Sequence, residues 1–89
     1  MSNNATKPIS KVSMYPITAA IWRNANDKDG RAFYSVTFER GYKDETGNWK
    51  STSAFNAGDL LLLAKVADLA HTEISKLRAK DRQPPEAFE

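Results

Sequence analysis

Residues Phe33–Leu77 read FYSVTFERGYKDETGNWKSTSAFNAGDLLLLAKVADLAHTEISKL, and this stretch decides the fold. It passes from an alternating strand, through a turn and a second strand, into one long amphipathic helix. In Ala32–Arg40 (AFYSVTFER), Tyr34, Val36 and Phe38 share one face, and Phe33, Ser35, Thr37 and Glu39 share the other. Asp44–Asn48 (DETGN) reads as a turn, with Gly47 suited to a positive φ. Trp49–Phe55 (WKSTSAF) reads as a serine-rich strand. Asn56 is a helix N-cap candidate, with Asp59 three residues on at the positive helix end. The helix is predicted from about Ala57 to about Lys80, with Lys76, Arg78 and Lys80 in its last turns.

On a 100° wheel, Leu60, Leu62, Leu63, Val66, Ala67, Leu69, Ala70, Ile74 and Leu77 form a wide apolar arc. Lys65, Asp68, His71, Thr72, Ser75 and Lys76 lie opposite it. Glu73 intrudes into the arc, and Leu61 lies outside it. An arc this wide calls for two packing partners. Leu63, Ala67, Ala70, Ile74 and Leu77 are expected to cover a sheet. Leu62, Val66 and Leu69 are then expected to meet a second copy of the chain. The alternative is a strongly curved sheet that wraps the whole arc.

Upstream, Ile17–Arg23 (ITAAIWR) reads as a strand with Ile17, Ala19 and Ile21 on one face and Thr18, Ala20 and Trp22 on the other. Asn24–Gly30 (NANDKDG) is a turn cluster, and Val12–Tyr15 supplies a short first strand. The expected class is α+β: a curved antiparallel four-stranded sheet and one C-terminal helix, ββββα. Residues 1–10 read as a flexible arm, 11–82 as one domain, and 83–89, after Pro84-Pro85, as a tail.

At 89 residues the chain is expected to bury a modest core. It has no cysteine, which excludes disulfides and thiolate metal sites. No apolar run approaches the roughly 20 residues that span a bilayer. The opening MSNNATKPISKVSMYP lacks the apolar centre of a signal peptide, so a cytoplasmic protein without a membrane partner is the expectation. The formal net charge is +2 and the pI about 9.0, compatible with nucleic acid but well short of a polybasic footprint.

Catalysis, cofactors and a small-molecule substrate are not expected. His71 is the single histidine and falls on the polar helix face. The four glycines are scattered rather than gathered in a phosphate loop. Asp27-Lys28-Asp29-Gly30 fails as a calcium loop, because Ala25 and Val36 stand where ligands are needed.

The aromatics point instead to binding. Phe38 and Phe55 are expected in the core. Trp22, Phe33, Tyr42 and Trp49 lie next or close to Arg23, Arg31, Lys43 and Lys50. Single-stranded nucleic acid is held by aromatics that stack on bases and cations that follow phosphates. The expected site is therefore Trp22, Phe33, Tyr42 and Trp49 for stacking. Arg23, Arg31, Arg40, Lys43 and Lys50 serve the phosphates, with Lys7 and Lys11 on a basic arm. The competing reading is a dimeric protein-interaction module whose sheet receives a peptide or another subunit.

The order of elements resembles the positive-cofactor-four family of single-stranded-DNA-binding transcriptional coactivators, including its small bacterial members. The residues that carry the resemblance are SVTFERGYKDETGNWK (Ser35–Lys50) and SAFNAGDLLLLAKVADLAHTEISKL (Ser53–Leu77). The resemblance implies a ββββα homodimer joined largely through its helices. It also implies curved sheets that bind unpaired strands, DNA ahead of RNA, as a transcription or replication accessory factor. It sets Tyr42 at a family aromatic position and Arg31 and Lys50 at basic ones.

Overall fold

The computed structural model describes residues 3–4, 7–25 and 32–82. Its strands are β1 (Asn3–Asn4), β2 (Ser10–Met14), β3 (Ile17–Ala25), β4 (Ala32–Lys43) and β5 (Trp49–Thr52). A 3₁₀ turn at Ala57–Asp59 leads into helix α1 (Leu60–Arg82). All pairings are antiparallel. β1 and β2 follow one another along the same edge of β3, so the sheet is four strands wide, in the order β1/β2, β3, β4, β5. The expected ββββα fold is what the chain adopts. The arm reading of residues 1–10 includes β1 and the first residue of β2, and the proposed tail lies outside the described residues. No helix among the described residues is long and apolar enough to cross a membrane.

The alternation in ITAAIWR sets the core. Ile17, Ala19 and Ile21 are fully buried on the face that α1 covers. Phe38 and Val36 stand beside Ala19 and Ile21 in register, and Val12 stands beside Ala19 from β2. Val66 and Ala70 close the core from the helix. Phe38 and Phe55 both pack against this cluster, as expected.

The helix lies over β2 and β3 rather than over the middle of the sheet. Ser10 Oγ donates to Glu73 on the β2 side, which explains the acid that intrudes into the apolar arc. Val66 is therefore fully buried within its own chain, and Leu62 packs against the same cluster. Val66 therefore leaves the expected dimer stripe of Leu62, Val66 and Leu69, of which Leu62 and Leu69 are half-buried. The centre of the arc, not its edge, sits on the sheet, and Leu69 is half-buried on the β2-side flank.

Both helix ends are tied down. Asn56 N–H donates to Asp59 Oδ2 at 2.9 Å, and Asp59 N–H donates to the Asn56 carbonyl at 2.8 Å. This is the backbone-directed half of a capping arrangement. At the far end Tyr34 Oη donates to Asp81, and Arg23 reaches Asp81 Oδ1 at 3.4 Å.

The Tyr34 hydroxyl first, and Arg23 with it, hold the Asp81 carboxyl below its ordinary value. A carboxyl lowered in the folded state stabilises fully above its unfolded value of about 3.9 and loses that contribution as pH falls through the folded value. Asp81→Asn is thus expected to lower the urea midpoint slightly at neutral pH, with the gap to wild type closing in strong acid. The effect is small because both charged side chains are substantially exposed. A gap that widens on acidification would rule out this role.

Candidate nucleic-acid interface

The face of the sheet opposite α1 carries no second layer among the described residues. Strand alternation puts Lys11 and Ser13 of β2, Thr18, Ala20, Trp22 and Asn24 of β3, and Phe33, Ser35, Thr37, Glu39, Gly41 and Lys43 of β4 on this face. Trp49 and Ser51 of β5 join them, paired with Lys43 and Gly41. Tyr15 and Pro16 form the two-residue β2–β3 connection, with a cis peptide between them.

Apart from Glu39, the side chains along the middle of the face are small. A depression lined by Pro8, Lys11, Thr18, Ala20, Trp22, Thr37 and Glu39 runs into another lined by Ser13, Tyr15, Pro16, Thr18, Glu39, Gly41, Trp49 and Ser51. Thr18 and Glu39 belong to both, so the two form one trough. Aromatics stand at each end. Trp22 lies opposite Ser35 and Trp49 opposite Lys43, eight positions apart along β4. At a strand rise of about 3.3 Å per residue, that separation is about 26 Å.

Each aromatic is held differently. Trp22 is half-buried, and its Nε1–H donates to Thr37 Oγ1 at 3.0 Å, which tethers the indole to β4. Beside it, the buried Asn24 donates from Nδ2 to Ser35 Oγ at 3.2 Å. Trp49 is 57 % exposed, in edge-to-face contact with Tyr15 at 6.3 Å between centroids. Lys43 Nζ lies 5.5 Å from the Trp49 ring centroid, a cation–π distance. Phe33 is about half exposed.

The sequence-predicted residues thus divide between two faces. Trp22, Phe33, Lys43 and Trp49 share the open face. Arg23, Arg40, Tyr42 and Lys50 take the opposite register, on the helix side. Arg31 lies outside the described residues.

The helix-side cations are engaged within the chain. Arg23 Nε donates to Tyr34 Oη at 3.3 Å, and its guanidinium pairs with Asp81. Arg40 Nε lies 3.2 Å from Asp59 Oδ2, an ion pair by distance whose angle falls short of a hydrogen bond. Arg40 also sits 6.0 Å from the Tyr42 ring. Lys50 pairs with Asp44 at 3.5 Å. Asp44 is itself held below its ordinary value by the Thr46 hydroxyl first and by the Asn48 amide next, in the turn that carries Gly47 at φ 88°.

Among the described residues, the cations on the open face are Lys11 and Lys43, with exposed Lys7 just before Pro8. Glu39 stands in the trough between them. Sequence reasoning missed Tyr15 as an aromatic of the site, and it placed Lys11 on a free arm rather than in a strand. The signal for Tyr15 was its position before Pro16 at a strand connection, where a side chain projects past the sheet end.

No family model matches this chain, and no curated protein or solved structure matches it.

Proposed function

We propose that the open face binds single-stranded nucleic acid, DNA ahead of RNA, through stacking more than through charge. The observation that carries this reading is the trough of small side chains with Trp22 and Phe33 at one end and Tyr15 and Trp49 at the other. An unpaired strand lies along such a floor with its bases on the aromatics and its phosphates toward Lys11 and Lys43. The resemblance of Ser35–Lys50 and Ser53–Leu77 to the positive-cofactor-four family supports the same reading. The function is binding without chemistry, suited to an accessory factor in transcription or replication.

Fluorescence anisotropy with labelled oligonucleotides tests it. Single strands should bind more tightly than duplex of the same sequence. Phosphates on single strands contribute a salt slope of about −0.7 each. Lys11 and Lys43, with or without Lys7, should therefore give a slope of about −1.4 to −2.1 in log K against log salt. Equal affinity for duplex, or no dependence on salt, would refute the proposal.

Glu39 in the trough favours a second reading, in which the same face receives a peptide with a basic side chain. Absence of oligonucleotide binding at low salt would move the assignment to that reading.

A further inference from the structure

β4 is much longer than the strand beside it. It pairs with β3 from Ala32 to Arg40, but β5 covers only Arg40 to Lys43. On the side away from β3, Ala32–Glu39 therefore has no neighbouring strand among the described residues.

The hydrogen-bond phase of this edge follows from two contacts. Gly41 N–H donates to the Pro16 carbonyl, extending the Ile17–Arg40 register, so the odd-numbered residues of β4 turn their backbone groups toward β3. Asp44 N–H donates to the Asn48 carbonyl, extending the Arg40–Thr52 register, so the even-numbered residues turn theirs the other way. The amides and carbonyls of Ala32, Tyr34, Val36 and Phe38 consequently face outward along an open edge.

Exposed edges are usually blunted by proline, lysine or a bulge. The segment AFYSVTFE has no proline and no lysine, pairs with β3 without a register break, and carries one charge, Glu39, at its far end. Apolar surface runs beside it. Tyr34, Val36 and Phe38 are only partly buried on the helix side, and so are Leu63 and Ile74 of α1.

We propose that this edge joins the same edge of a second copy of the chain, antiparallel about a two-fold axis at Ser35. The edge is self-complementary in that register. Tyr34 falls opposite Val36 of the second copy, and Ala32 opposite its Phe38, so every outward amide and carbonyl finds a partner. Tyr34 then faces the β-branched Val36, a favourable cross-strand combination. Glu39 falls beyond the paired span, so no like charges meet. Both helices lie on one side of the joined sheet, and both open faces lie on the other. This inference does not depend on nucleic-acid binding.

Ser35 on the axis is a non-hydrogen-bonded pair, with Cα atoms about 4.5 Å apart, inside the range a disulfide spans. The chain has no cysteine, so Ser35→Cys introduces a single thiol. Mild oxidation should convert this variant to a covalent dimer much faster than Ser13→Cys, an exposed control on the open face of β2.

Val36→Pro removes an outward amide and no ladder bond within the chain. It should raise the dimer dissociation constant at least about tenfold while far-UV circular dichroism is retained. If that variant does not fold, the cysteine pair and wild-type amide exchange decide the matter. Protection of Tyr34, Val36 and Phe38 amides should grow with protein concentration. A monomeric wild type by light scattering, no preference for cross-linking at Ser35, or concentration-independent exchange would each overturn the proposal. The last outcome would mean that the edge is bare or is covered by the chain's own terminus.

Discussion

Ile21→Ala is expected to cost roughly 2–5 kcal/mol of folding stability, the range for deleting a large aliphatic side chain from a packed interior. For 89 residues at about 0.05–0.15 kcal/mol each, the whole domain holds about 4–13 kcal/mol. The substitution therefore removes a large share of it. Ile21 is fully buried, midway along β3, with Ser10 and Val36 beside it in the sheet and Val66 and Ala70 in the same cluster. β3 is held by strands on both sides, so the sheet has little freedom to collapse into the space left. In urea, with a slope of about 1–3 kcal/mol per M, the midpoint should fall by roughly 0.7–5 M. Leu61→Ala is the matched control, because Leu61 is 86 % exposed. That change should stay within about 0.5 kcal/mol. Equal losses for the two variants would contradict the burial pattern.

The same pattern shows how far the fold was legible. Alternation in ITAAIWR puts the buried Ile17, Ala19 and Ile21 on one face, because period two admits no other arrangement in a strand. The Asp44–Asn48 turn and the Asn56 helix start followed from local chemistry, an Asx-type turn with a positive-φ glycine and a cap reinforced by Asp59. The position of the helix on the sheet was not legible. A wheel shows which residues are apolar but not where the arc meets the sheet. The side-chain bond between Ser10 and Glu73, far apart in sequence, helps fix that rotation and leaves Val66 inside.

The site was half legible for a related reason. Nearness in sequence pairs cations with aromatics, as in Trp22-Arg23, Tyr42-Lys43 and Trp49-Lys50. Consecutive residues of a strand point to opposite faces, so each such pair is divided by the sheet itself. The partners that share a face come from different strands. Lys43 meets Trp49 across the β4–β5 ladder, and Lys11 meets Trp22 across the trough. Those combinations depend on register, which the spacing of β2 from β3 and of β4 from β5 leaves open until the turns are placed.

The division of faces makes the functional test sharp. Trp22→Ala and Trp49→Ala are each expected to weaken single-strand binding by about 1–3 kcal/mol, the contribution of one base–aromatic stack. That is roughly 5- to 150-fold apiece. The two rings lie too far apart to share a base, so the losses should add, giving roughly 30-fold or more in the double variant. Trp22 also donates to Thr37, and Trp22→Phe keeps a stacking surface while removing that bond. It should recover most of the affinity.

The lysines supply the internal control. Lys43→Gln on the open face should reduce the salt slope by about 0.7, one phosphate contact. Lys50→Gln, on the helix side and paired with Asp44, should leave both affinity and slope unchanged. If Lys50→Gln weakens binding as much as Lys43→Gln, or if the double tryptophan variant binds like wild type, the nucleic acid does not lie on the open face. Agreement of both contrasts would fix the face, because the two lysines stand on neighbouring strands and on opposite sides of the sheet.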